Sequence, residues 1–266
     1  MTKHAIASTK AIGALLGVAI GDALGWPNER PRSRADSPKG GGTASSEAVF
    51  ESWSRFAGGR FWNHLEEIEA GSYSDDTQLV LATARSVLLE RQWFTYLCNQ
   101  ELPAWLLYER GGGRATLVAA RSWQRGIPPW QASNRGANYA QEYFQAGGNG
   151  VAMRIIPHAL LRSQTPQSLY RQILMNGIAT HGHPRALVGA LLYGFAASYV
   201  IQLEQSLEYG GILDYLETSL SLWSKVPQPE DVSANWIDAA HRYANGSYES
   251  VWEETIRGDS GWTRSL

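Results

Sequence analysis

The chain has 266 residues, 44% of them hydrophobic and 18% charged, with 23 Lys and Arg against 25 Asp and Glu for a net charge of −2. That balance excludes a disordered chain, which pairs low hydrophobicity with high net charge, and the lack of a basic excess argues against a dedicated nucleic-acid binder. The single cysteine, Cys98, excludes an internal disulfide, a CxxC site and a zinc finger.

In chain order, the first predicted helix runs from about Ser8 to Leu24, capped by Ser8 or Thr9, with small residues at Gly13, Ala14, Gly17 and Gly21 that would let another helix approach closely. Lys3, Lys10 and the apolar run 11–20 imitate a signal peptide, but no clean small-x-small cleavage site follows. Pro27 ends the helix, and residues 27–60, rich in Pro, Gly, Ser and Arg, read as a long loop. Arg30, Arg32, Arg34 and Lys39 make that loop basic, as a solvated segment or a lid that attracts phosphate. A strong helix follows from Gln78 to about Arg91, and a second covers 98–109. Gly-rich turns and short helical pieces alternate over 110–150, and helix signals return at 151–162, 166–180, 184–207, 210–223, 230–244 and 248–257. Residues 186–201 are apolar on all sides but shorter than the ~20 residues a membrane span needs, so they read as a buried core helix. No strict period-two alternation appears. The expectation is an all-α, single-domain, soluble and cytoplasmic protein with long loops. Cys98 reads as a small buried hydrophobe, and the eleven Trp and twelve Tyr as core pieces or as stacking surfaces for a ring-bearing ligand.

Four stretches carry residue types suited to chemistry. In GDALGWPNE at 21–29, Asp22 and Glu29 lie near a helix C-terminus, where acids are unfavourable. Glu29 is either a solvated loop residue or a general acid/base facing a cleft. In GSYSDDTQL at 71–79, Ser74 suits an N-cap and the adjacent Asp75 and Asp76 suit the helix dipole. The same three side chains offer hard oxygen ligands for Mg²⁺ or Mn²⁺. In residues 145–154, Gly147, Gly148, Asn149 and Gly150 precede a helix signal and form either a plain turn or a backbone nest for phosphate. In THGHPRA at 180–186, His181 reads as a loop histidine that lines a pocket, and no HExxH spacing points to zinc.

Together and in this order, the four stretches resemble the ADP-ribosylglycohydrolase family, over about residues 8–262. The resemblance implies an all-α fold whose cleft holds two Mg²⁺ or Mn²⁺ ions, and hydrolysis of the glycosidic bond between ADP-ribose and a modified protein or small-molecule acceptor. It implies metal ligation by Ser74, Asp75 and Asp76, catalysis by Glu29 and Asp76, and ADP-ribose contacts from Gly147, Gly148, Asn149, Gly150 and His181. No nucleic-acid or membrane partner is expected. The family's second acidic motif, Asp-x-Asp-Ser/Thr, does not occur before Leu266, and Asp259-Ser260 is the only late Asp-Ser pair. The chain therefore resembles a member lacking its C-terminal metal-binding segment, with at most one ion and impaired activity. A catalytically inactive ADP-ribose- or protein-binding module, or a truncated gene product, is the competing reading.

Overall fold

A computed structural model describes residues 8–29, 49–57, 64–131, 138–161 and 165–258. Lys3, the basic positions 30–39 and Asp259-Ser260 lie outside the described residues. The architecture is all-α, as expected. Helix α1 (Ser8–Gly25) leads through a 3₁₀ turn at Trp26–Asn28 to α2 (Asp75–Val87). Next, α3 (Trp93–Tyr96), a π turn at Leu97–Glu101 and α4 (Leu102–Trp105) form one continuous helical segment. After it come α5 (Arg114–Gln124), α6 (Tyr139–Phe144), α7 (Ile156–Ala159) and α8 (Pro166–Ile178). The long α9 (Pro184–Gln202), α10 (Gly211–Trp223), α11 (Ala234–Tyr243) and α12 (Tyr248–Arg257) complete it.

Several sequence expectations need correction, among them that the helix predicted to about Arg91 ends at Val87 and that the one predicted over 151–162 is a 3₁₀ turn at Ala152–Arg154 followed by the short α7. The loop predicted over 27–60 contains β1 (Trp53–Ala57), which pairs antiparallel with β2 (His64–Ile68). The two strands are five residues each, too short for alternation to stand out, and are held by tertiary contacts. Arg55 faces Glu66 in the register and bonds it at 2.7 Å, and Trp53 packs edge-on against Trp26 at 5.2 Å. The helix predicted over 98–109 instead starts at Trp93 and ends at Trp105, because Glu101 is drawn to Arg85 on α2 and Gln78 captures the chain beyond Trp105.

The main core lies where α8 and α9 meet α11 and α12. Helix α9 is long and apolar enough to cross a membrane by length and composition alone, yet 56% of that window is buried. Its Gly194 lets α8 approach so closely that a Cβ there would sit 2.3 Å from Ile173. The aromatics serve mainly as core. Trp105, Trp236 and Trp252 are fully buried, and a chain of tilted and edge-on rings links Trp123 through Trp130, Tyr143, Phe144 and Trp236 to Tyr248. Cys98 is a buried free thiol, pushed up by burial, in a second cluster beneath α2 and α5.

The aromatic chain also fixes the loop between α8 and α9. Tyr143 donates to Ile178 O at 2.7 Å and accepts from Trp236 Nε1 at 2.8 Å, while Gly182 bonds Tyr143 O and Tyr248 Oη. A Cβ on Gly182 would meet the Tyr143 ring at 2.4 Å, so only glycine lets this loop lie on the aromatic floor.

Candidate active site

The site begins at the N-terminus of α2. Ser74 caps the helix by accepting from Asp76 N, and Asp75 and Asp76 occupy its first turn, where backbone N–H groups favour negative charge. The cap has a further anchor that sequence reading left out of the site. Asp22, in the last turn of α1, reaches across to α2 and accepts from Ser74 N at 2.9 Å, Ser74 Oγ at 2.6 Å, Thr77 N at 3.0 Å and Thr77 Oγ1 at 2.6 Å. The acid that looked misplaced at one helix C-terminus therefore serves the N-terminus of the next. The available signal was the unfavourable position itself.

Asp75 is buried and Asp76 half-buried. Burial, then the neighbouring Asp76, Asp22 and Glu29 carboxylates, push the Asp75 carboxyl up to about 7. Burial, then Asp22 and Glu29, push Asp76 up to about 6. Glu29 follows the 3₁₀ turn, is exposed, and bonds Trp26 O through its backbone N–H. The structure thus brings Ser74, Asp75, Asp76 and Glu29 to one end of the site. Among the described residues, no three His, Cys, Asp or Glu side chains converge as a metal-holding group. The oxygen donors at Asp75 and Asp76 suit a hard divalent cation, but two carboxylates fit one ion completed by water or substrate, not two.

The wall beside Asp75 is a glycine turn whose role the sequence reading missed. Arg110 O accepts from Asp75 N at 2.9 Å. Gln78 pins the same turn, accepting from Arg110 N and Trp105 Nε1 and donating to Tyr108 O. Gly111 has φ +90°, and a Cβ there would stand 3.0 Å from Trp26 Nε1 and 3.5 Å from Asp75 Oδ1, so glycine is required on both counts. Arg110 and Arg55 lie over the Trp26 indole at 5.0 and 5.3 Å. Three glycines directly before a helix start were the visible signal here.

At Thr116, in the first turn of α5, the wall meets the other end of the site. A Cβ on Gly150 would stand 3.1 Å from Thr116 Oγ1, 3.1 Å from His181 Nε2 and 2.8 Å from His181 Cε1. Gly147 lies against the His183 ring, with its Cβ position 3.2 Å from Nδ1. The Gly147–Gly150 and Thr180–His183 stretches are therefore brought together, and α5 bridges them to Asp75. Asn149 spends its carbonyl on Met153 N at 3.2 Å, and the Cβ direction of Gly148 is open. A cavity of about 380 Å³ opens alongside, lined by Val118, Tyr139, Gln145, Ala146 and Thr180 among others.

This arrangement puts a carboxylate pair at one end, a glycine turn along the wall and buried hydroxyl and imidazole groups at the other. The model of the ADP-ribosylglycohydrolase family matches residues 3–265. The chain belongs to that family. Among its relatives, an ADP-ribosyl-dinitrogen reductase glycohydrolase of Rhodospirillum rubrum is 28% identical over 192 residues, covering 72% of this chain and 58% of the relative. The ADP-ribosylarginine hydrolase Tri1 of Serratia proteamaculans is 24% identical over 200 residues, covering 72% and 47%. An uncharacterized Escherichia coli protein, YegU, is 28% identical over 217 residues, covering 78% and 58%. This family member thus spans about half the length of the relatives it matches.

Proposed function

We propose that this chain binds ADP-ribose between the α2 N-terminus and the Gly150–His181 edge, and hydrolyses its glycosidic bond to an acceptor on a modified protein or small molecule. The observation that carries the reading is the pairing of two ends by one wall. Asp75 and Asp76 crowd their carboxyls against each other and against Asp22 and Glu29, and along the same wall the Cβ position of Gly111 stands 3.5 Å from Asp75 Oδ1 while that of Gly150 stands 3.1 Å from Thr116 Oγ1. A ligand with ribose hydroxyls at one end and oxygen acceptors at the other meets both. The names of the Rhodospirillum and Serratia relatives support the substrate class.

Asp75 and Asp76 would hold a single Mg²⁺ or Mn²⁺ ion, with Ser74 behind them as the cap. Such an ion supplies orientation of ribose hydroxyls and polarisation of water. Glu29, exposed beside the pair, takes the proton of the attacking water as its oxygen bonds to the anomeric carbon. The bond from that carbon to the acceptor nitrogen or oxygen breaks, and Glu29 passes the proton it took from water to the leaving acceptor and returns to the carboxylate. Gly147–Gly150 and His181 hold the diphosphate side.

Release of ADP-ribose from ADP-ribosyl-arginine and ADP-ribosyl-serine peptides with excess Mg²⁺ tests the reading. Turnover is expected to fall at least a hundredfold in Asp76→Asn and Glu29→Gln, with metal affinity retained only in the latter. Activity that survives both substitutions would put the active site elsewhere. The limit of two converging carboxylates among the described residues favours a second reading, ADP-ribose binding without turnover. Saturable ADP-ribose binding with no release selects it.

A further inference from the structure

Arg154 is completely buried and, among the described residues, has no carboxylate among its hydrogen-bond partners. A buried cation without a counter-ion is expensive, and burial accordingly lowers its pKa to about 10. The guanidinium is held by four bonds instead. Nε donates to Asn176 Oδ1 at 2.7 Å and Nη1 to Gly150 O at 2.7 Å. Nη2 donates to Asn176 O and to Thr180 Oγ1, both at 2.8 Å. One side chain thereby ties together the Gly150 loop, the end of α8 and the residue before His181.

The bond to Thr180 has a direction. A guanidinium only donates, so Thr180 Oγ1 accepts from it. The same oxygen lies 2.7 Å from His181 Nδ1, and among the described residues it has no other partner. The oxygen could accept a second bond, but that would leave its one buried hydrogen without an acceptor, so the arrangement that satisfies every group gives this hydrogen to Nδ1. Nδ1 accepts, and Nε2 carries the ring hydrogen. The ring is neutral, since burial and then the Arg154 charge push His181 down to about 3. Nε2 has no hydrogen-bond partner among the described residues. It is also absent from the fully enclosed partnerless atoms, which are the indole nitrogens of Trp130, Trp223 and Trp252. A histidine only 3% exposed thus brings an unspent N–H to the surface, at the point beside Gly150 that Thr116 Oγ1 also faces.

We propose that Arg154 is a positioning residue which, through Thr180, locks His181 as the Nε2–H tautomer and so presents a neutral hydrogen-bond donor at the Gly150 edge of the site. The donor suits an oxygen acceptor such as a diphosphate or ribose oxygen. Only the identity of that acceptor rests on the ADP-ribose reading.

The test is ¹⁵N NMR of the histidine rings in the ligand-free protein, with His181 assigned by its loss in His181→Gln. The expected spectrum has His181 protonated at Nε2 and bare at Nδ1. Thr180→Ser keeps the relay and this signature. Thr180→Val, which removes the hydroxyl at nearly constant shape, mixes the two tautomers and weakens ADP-ribose binding roughly tenfold. Arg154→Lys keeps the charge but loses the fork, and is expected to mix the tautomers as well; Thr180→Val keeps the test decisive where Arg154→Lys does not fold. A wild-type His181 protonated at Nδ1, or a Thr180→Val protein that keeps the pure Nε2–H form, overturns the relay. Adding ADP-ribose separates the two claims. A pure Nε2–H tautomer whose signal ignores saturating ADP-ribose leaves the relay standing and overturns the ligand placement. A wrong tautomer in a protein that binds ADP-ribose does the reverse.

Discussion

The two ends of the site are built by opposite rules. At the α2 end, Asp22 is spent on four backbone and hydroxyl donors, and Asp75 and Asp76 are crowded together until their carboxyls resist ionisation. At the Gly150 end, a cation is buried without a carboxylate partner among the described residues, and it binds Gly150, Asn176 and Thr180, with Thr180 bonded in turn to His181 Nδ1 and His181 Nε2 left unspent. One end has carboxyls that only a bound cation would let ionise freely; the other has a surplus donor and wants an acceptor. What such a site can recognise is set by what its groups have left over after folding.

Asp22→Asn should break the acidic end most severely. The amide nitrogen would face the N–H groups that the carboxylate now accepts from. About 2–3 kcal/mol of stability should be lost in chemical denaturation, from orphaned donors at a partly buried helix start. A loss below about 0.5 kcal/mol would mean that α1 is not anchored through this residue.

Gly150→Ala acts on the donor end alone. Its methyl would crowd His181 Cε1 at 2.8 Å and occupy the space between Nε2 and Thr116 Oγ1. Titration calorimetry should report ADP-ribose affinity reduced about tenfold or more, with Mn²⁺ affinity unchanged. Equal losses of both would show that the two ends are not separable.

The two ends also respond oppositely to pH. The carboxyls of Asp75 and Asp76 bind protons more tightly in the folded chain than their ordinary 3.8, so metal-free stability falls as pH rises from about 4 through 6 and 7. His158 and His181, pushed down by burial to about 4 and 3, act oppositely, and their stability is lost as pH falls below 6.5. The difference between wild type and Asp76→Asn isolates the acid. The variant should be about 1 kcal/mol more stable than wild type at pH 8 and equal to it near pH 4, after allowing for solvent screening of a half-exposed group. A variant less stable than wild type at pH 8 would contradict the assigned strain.

Much of this was legible in sequence because it is local. The Ser74 cap and its acidic first turn follow from residue type and spacing, and α8 to α12 follow from helical periodicity and caps. What was not legible depends on partners far apart in the chain. Asp22 lies 52 residues from Ser74, and Arg154 lies 26 from Thr180. The small residues of α1 show the same limit from the other side. Gly13, Gly17 and Gly21 predicted a closely packed helix, yet among the described residues nothing lies within 4 Å of their Cβ positions, whereas Gly194 of α9 is packed to contact. Composition alone does not distinguish the two helices.

Isothermal titration of the full chain with ADP-ribose, with and without excess Mg²⁺, in wild type, Asp76→Asn and Gly150→Ala tests whether the two ends act together on one ligand. Wild type should show saturable 1:1 binding that Mg²⁺ strengthens. Asp76→Asn should lose the Mg²⁺ enhancement alone, and Gly150→Ala should bind more weakly at every Mg²⁺ concentration. Wild-type binding that neither substitution changes would contradict that joint action.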